Sequence, residues 1–293
     1  MTRREFAMGA TAGALACAMG GSALASGTNG LKVRFLGTGA ADWNGRDARG
    51  ELRRLTSVLL ENRILIDFTA TAADMLPAGV RPEVAFYTHS HGDHYRPADA
   101  LAAGVRRVYV HESWVADARA EFAAAAVKAG VPIPEVCGMA FGETRVEGDV
   151  ALTALPANHF TSRPGERCAI YLVEKGATRL LYATDTGGIM AEAARRAGID
   201  AHARPGRPIT ALIMEATMGV GHEDDFRIYS HSSVATVAQT VRVLQATRRY
   251  LPPQGQKVYL THLARTMHGT QAEIAAAWPE PLVPARDGLE VVF

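Results

Sequence analysis

The tightest constraint in this 293-residue sequence is the string Thr88-His89-Ser90-His91-Gly92-Asp93-His94, which closes the apolar run 84–88. Four metal-ligand side chains fall within six positions, and imidazole with carboxylate is the donor set that holds zinc, iron or manganese. His89 and His91, two apart at the end of a strand, can point to one side and share a metal. Asp93 and His94 fall on the next turn, placed for a second. The bland reading, a polar cap on a strand–helix turn, asks only for polarity and leaves the choice of four ligand types unexplained.

The rest of the chain interleaves strands and helices. Alternating polar and apolar residues over 32–36 run into Gly37-Thr38-Gly39, a strand entering a tight turn. Residues 56–60 and 64–67 read as a hairpin about Glu61-Asn62-Arg63, and 71–76 as a short helix. The pattern then predicts helices at 97–103 and 114–129 around a strand at 107–110. The second half predicts strands at 151–155, 168–174, 179–183, 211–215, 257–261 and 289–293, with helices at 189–197, 233–248 and 271–278. A polar loop covers 219–230, and a Pro/Gly-rich stretch at 202–208 reads as a surface loop. Hairpins break a pure βαβ alternation, which favours a layered α/β domain with its sheets packed between helices. With 48% hydrophobic and 21% charged residues the bulk can bury a core, so disorder is excluded. The length is near the upper limit for one core, and residues 26–293 read as a single domain.

Residues 1–25 read as a signal peptide: Arg3-Arg4, then an apolar Gly/Ala-rich run, then Ala23-Leu24-Ala25 as a small-x-small cleavage site. Arg3-Arg4 followed by Phe6 resembles a twin-arginine signal. The implied location is exported and periplasmic, reached through the twin-arginine export machinery, with no stable membrane anchor after cleavage. Cys17 fits a lipoprotein box poorly, because Leu15 stands one place too late. Cleavage after Ala25 removes Arg3, Arg4 and Glu5, so the formal charge of +1 falls to zero. A neutral chain has no general field for polyanions, and no nucleic-acid partner is expected. Cys137 and Cys168 suffice for one disulfide, with two free thiols the simpler reading.

Three further residues sit where an apolar run ends: His159 after Asn158, Asp185 in Tyr182-Ala183-Thr184-Asp185-Thr186, and His262 in Leu260-Thr261-His262. Singly, each has an ordinary reading as a core-flanking imidazole or a capping carboxylate. Together with the 89–94 string they resemble the metallo-β-lactamase superfamily, whose HxHxDH signature that string matches. Gly37-Thr38-Gly39-Ala40-Ala41 resembles the opening strand-turn of the branch holding the phosphodiesterases and the tRNA 3′-processing nucleases. The resemblance covers nearly all of residues 26–293 and implies a four-layer αββα sandwich with a dinuclear site. His89, His91 and His159 would hold one metal, Asp93, His94 and His262 the other, and Asp185 would bridge them. Two divalent ions are thus implied, zinc first, with manganese or iron compatible with the same donors. Two close cations lower the pKa of a shared water enough to supply hydroxide at neutral pH. Asp93 would serve catalysis as well as ligation.

Asp185 argues against the β-lactamase arrangement with a cysteine at that position. Tyr229-Ser230-His231-Ser232, just ahead of the 233–248 helix, resembles the phosphate-contacting segment of cyclic-phosphate and phosphonate-pathway phosphodiesterases. His231 is thereby expected to be a general acid or a phosphate contact, and Ser232 a candidate helix cap. Arg96 is a candidate substrate contact or equally a surface arginine, and Trp43 a candidate cover for the site mouth, with surface packing the plainer account. No Lys/Arg-rich insertion matches the exosite of the tRNA-processing nucleases. The expected activity is hydrolysis of a small or cyclic phosphodiester, an anionic small-molecule ester. Sulfate-ester hydrolysis, lactone or acyl hydrolysis, and metal or ligand binding without turnover all stay open, as does a homodimer.

Overall fold

The computed structural model describes residues 30–200 and 207–293. Residues 1–25, read above as a signal peptide, and residues 202–206 of the Pro/Gly-rich stretch lie outside them. The first half of the chain lays down β1 (Lys32–Gly37), β2 (Ser57–Leu60), β3 (Ile64–Ile66), β4 (Val84–Phe86), α1 (Pro97–Ala103), β5 (Arg107–His111), α2 (Val115–Ala129) and β6 (Glu135–Met139). The second half supplies β7 (Thr144–Glu147), β8 (Val150–Pro156), β9 (Ala169–Lys175), β10 (Thr178–Ala183), α3 (Ala191–Arg196), β11 (Ala211–Glu215), α4 (Val234–Ala246), β12 (Val258–Thr261), α5 (Gln271–Ala277) and β13 (Leu282–Pro284). β14 (Glu290–Val292) then crosses back to pair with β1.

Two seven-stranded sheets result, ordered β14-β1-β2-β3-β4-β5-β6 and β13-β12-β11-β10-β9-β8-β7. In each, antiparallel pairing gives way to parallel pairing, at β3–β4 in the first and β10–β11 in the second. The strands are apolar on both faces, as burial on both sides demands. Val58, Leu60, Ile64 and Ile66 meet Leu152, Tyr171, Val173, Leu180 and Tyr182 between the sheets. Their neighbours Leu59 and Leu65 face outward onto Ala100, Trp114, Ala118 and Phe122 of the α1–α2 side. The far face of the second sheet packs on Ala193, Val237, Val241, Leu244 and Ile274 of α3, α4 and α5. The architecture is therefore the αββα sandwich, and each fully buried Leu, Ile or Phe contributes roughly 1.5–3 kcal/mol to it.

Three strands carry no sequence signal. β6, β7 and β13 are all sheet edges. Edge position explains why β6 can carry Gly138, why β7 is half exposed, and why β13 ends in Pro284. The short helix expected at 71–76 is a 3-10 turn, Ala70–Met75. The helix expected at 233–248 is α4, and its cap is Ser233, which exchanges side-chain and backbone bonds with Thr236. Ser232 instead donates to the Thr186 carbonyl. Cys137 and Cys168 are free. Among the described residues no helix is long and apolar enough to cross a membrane.

Candidate metal centre

Strands of both sheets end at one edge of the sandwich, and the polar residues that follow them converge there. Asp67 follows β3, the 89–94 string follows β4, His159 follows β8, Asp185 follows β10, and His262 follows β12. Asp67, Asp185 and His262 take left-handed backbone, with φ of 56°, 47° and 54°. Each such turn costs a non-glycine residue roughly 1–2 kcal/mol, so the packing around it must impose it. The opening turn is held just as closely. A Cβ on Gly37 would lie 1.9 Å from the Leu55 carbonyl oxygen, and one on Gly39 would lie 2.5 Å from the Trp43 ring.

All seven residues predicted as ligands come together. His89 Nε2 lies 3.0 Å from His91 Nδ1, which lies 3.3 Å from His159 Nε2. His94 Nε2 lies 3.3 Å from both His262 Nε2 and Asp93 Oδ2. Asp185 spans the two sets: its Oδ2 is 3.3 Å from His89 and 3.2 Å from His94, and its Oδ1 is 3.0 Å from His262. The donors thus sort into His89, His91, His159 and Asp185 on one side and Asp93, His94 and His262 on the other.

A further ring of residues fixes which ring nitrogen faces inward. Asp67 accepts the Thr88 N–H and O–H and the His94 Nδ1–H, each at 2.8 Å. His89 Nδ1 donates to the Thr88 hydroxyl at 2.9 Å, and His159 Nδ1 to the Ser230 carbonyl at 3.2 Å. His262 Nδ1 donates at 2.8 Å to Thr217, whose hydroxyl passes on to Glu215 at 2.5 Å. With Nδ1 committed, Nε2 of these four rings presents a lone pair to the centre. Ser90, between the first two histidines, is tied through its N–H and hydroxyl to the buried Glu166.

This donor set fits divalent cations. The Nε2 lone pairs of His94 and His262, 3.3 Å apart with both Nδ1 atoms committed elsewhere, repel unless a proton or a cation sits between them. Asp67, Asp93, Asp185 and Glu215 make no ion pair with lysine or arginine among the described residues; imidazoles are their partners. With the protein's own groups alone, protons must fill the cation's place. Burial would lower His262, but Asp185 and Asp93 outweigh it and hold it at about 10. Burial likewise opposes the charge on His94, yet Asp185, Asp93 and Asp67 raise it well above the ordinary value. His89, for which burial dominates, is pushed down to about 3.

A cavity of about 270 Å³ opens onto the cluster, lined by His91, Asp93, His159, Asp185, His262, Arg227 and His231 among others. His231 keeps Nδ1 within 3.1 Å of Glu215 Oε1 and stacks parallel to His262, with centroids 5.6 Å apart. Burial lowers its pKa, but the Glu215 carboxylate reverses the shift upward. For Arg96 and Trp43 the plainer of the two readings holds. Arg96 folds over Gly92, donating to its carbonyl at 2.7 Å, and stays out of the cavity wall. Trp43 is buried and donates to the Leu263 carbonyl at 2.7 Å, pinning the 40–44 loop rather than covering the mouth. Sequence reasoning missed Asp67, Glu166, Thr217, Glu215 and Arg227. Glu215, a lone carboxylate closing the apolar run Ala211–Glu215, carried the clearest available signal.

Fold and donors define the class: a hydrolase fold of the metallo-β-lactamase type with a His/Asp cluster suited to divalent metal. The chain belongs to the beta-lactamase superfamily domain family, whose sequence model matches residues 62–263. Among solved structures it is similar to a diphosphatase from the PhnP family, at 18% identity and a TM-score of 0.58, over 90% of this chain and 97% of that one. It is similar also to Zn(2+)-bound PqqB from Methylobacterium extorquens, at 17% identity and 0.62, over 89% and 100% of the two chains. Unliganded yeast PDE1 matches at 9% identity and 0.61, over 90% and 100%. At these identities the likeness is one of fold. No curated protein matches by sequence.

Proposed function

We propose that the protein is an exported, dinuclear metal-dependent phosphodiesterase acting on a small or cyclic phosphodiester. One observation carries this reading: seven side chains, in two groups joined through Asp185, cluster at one cavity that five of them line, beside a carboxylate-held histidine. His89, His91, His159 and Asp185 would hold one ion, and Asp93, His94, His262 and Asp185 the other, with zinc, manganese or iron as candidates. When bound, the two ions supply an acidified water and positive charge for the oxyanion developing at phosphorus.

The chain's own residues do the rest. Arg227, in the cavity wall, orients the anionic ester. Asp93 also lines the cavity and accepts a hydrogen of the attacking water. His231 has Nδ1–H committed to Glu215, so its imidazolium is stabilised and Nε2–H can protonate the departing alkoxide. Export through the twin-arginine machinery to the periplasm, as one domain over residues 26–293, belongs to the same proposal and is supported by Arg3-Arg4 and Ala23-Leu24-Ala25.

The test is to purify the protein, count its metals, and assay an activated phosphodiester, a phosphomonoester, an aryl sulfate and a lactone together. Two ions per chain and diester turnover are expected. Turnover of the sulfate or the lactone alone overturns the phosphodiesterase reading. Two bound ions without turnover of any ester would make the protein a metal- or ligand-binding one.

A further inference from the structure

Among the described residues only three aromatic side chains are exposed: Phe160 (70%), Phe226 (74%) and Tyr229 (80%). Each large ring left in water forgoes burial worth roughly 25 cal/mol per Å² of apolar surface, so their placement is informative. All three stand on the two loops that deliver His159, Arg227 and His231 to the cavity. Those loops are stitched together: Asn158 Nδ2 donates to the Tyr229 carbonyl at 3.3 Å, and His159 Nδ1 to the Ser230 carbonyl at 3.2 Å. The Phe160 ring stacks on His159, with centroids 6.0 Å apart and planes at 28°. The Arg227 guanidinium lies 5.3 Å from the Phe226 ring centroid while also forming part of the cavity wall.

Size points the same way. The cavity, at about 270 Å³, falls just below the usual range of ligand pockets, roughly 300–1,000 Å³. It has room for a charged ester centre against the His/Asp cluster, and a substituent that extends past His159 and Arg227 in its wall meets the rings that pack on them. The substituent that three exposed rings and a guanidinium favour is flat and π-rich.

We propose that Phe160, Phe226 and Tyr229 form a subsite for a planar aromatic substituent of an anionic ester, an aryl group or a nucleobase, while Arg227 and the cavity take the charged centre. This rests on the hydrolase reading of the cavity and names its substrate class.

The test is calorimetric binding of 1-naphthylphosphonate and methylphosphonate to the metal-loaded protein and to the Phe160→Ala/Phe226→Ala/Tyr229→Ala variant. All three side chains are exposed, so the variant should keep its melting temperature. The naphthyl ligand should bind on the order of tenfold tighter than the methyl one, as one good stacking contact provides. The triple variant should abolish that preference and leave methylphosphonate affinity unchanged. Equal affinities in the unaltered protein, or a preference that survives in the variant, overturn the subsite. So does a variant that loses a dimer in sedimentation yet keeps the preference, since the rings would then form a contact between copies. Hydrolysis of p-nitrophenyl methyl phosphate is measured alongside. Rim-dependent naphthyl binding without diester turnover sinks the phosphodiesterase reading alone; diester turnover without a naphthyl preference sinks the subsite alone.

Discussion

The loop after β4 and the three single residues after β8, β10 and β12 build the same centre in opposite ways. The loop packs His89, His91, Asp93 and His94 into six consecutive positions and feeds both donor groups. His159, Asp185 and His262 come one at a time from separate strands of the second sheet, and Asp185 and His262 take left-handed backbone to arrive. Neither group closes without one of these scattered residues, and Asp185 alone lies within 3.3 Å of members of both. A contiguous motif supplies donors, whereas packing of one sheet on the other supplies their closure.

That contrast makes Asp185 the most sensitive position. Asp185→Ala should leave no ion bound and lower turnover by more than the roughly 10²–10⁴-fold that a proton-transfer group provides. His91→Ala, within the loop, should keep the ion held by Asp93, His94 and His262. Elemental analysis of both variants decides the point; a His91→Ala protein stripped of both ions would erase the distinction. His231→Ala should retain both ions and lose a factor of roughly 10²–10⁴ in kcat, and an unchanged rate would remove it from the chemistry.

Outer partners allow a matched test. Asp67→Asn acts on the loop through His94, and Thr217→Val on a scattered ligand through His262. Each should weaken metal binding by roughly 10–100-fold in competition with a chelator. If only one does so, the two regions are supported unequally. The smallest effect is on pH dependence. His262 is raised from 6.5 to about 10 by its carboxylates against burial. Its proton therefore stabilises chelator-stripped protein fully below pH 6.5, and that stabilisation is lost as pH rises toward 10. A bound cation replaces the proton, so the gap in melting temperature between loaded and stripped protein should widen over this window. A gap that narrows would show that the carboxylates do not hold His262 in this way.

What the sequence left unread has local causes. β6, β7 and β13 lie at sheet edges, where burial is partial and Gly138 or Pro284 is tolerated, so periodicity fades there. Trp43 and Arg96 sit near the motifs in sequence, but the folded loops turn one into a pin and the other onto Gly92. Arg227, two residues ahead of the 229–232 segment and carrying no signal of its own, lines the cavity instead.

Sequence by itself determined the layered α/β class, the central strands and the seven candidate ligands, because dense imidazole and carboxylate at strand ends has few structural uses. Tertiary structure alone decided which nitrogen each histidine presents, which carboxylates are buried without a cation of their own, and that Glu215 and Asp67 stand behind the ligands. Those properties belong to distances between strands remote in sequence, and Asp67 to His94 spans 27 residues while Thr217 to His262 spans 45. Hydrogen bonding and desolvation act at such distances only once the two sheets have packed.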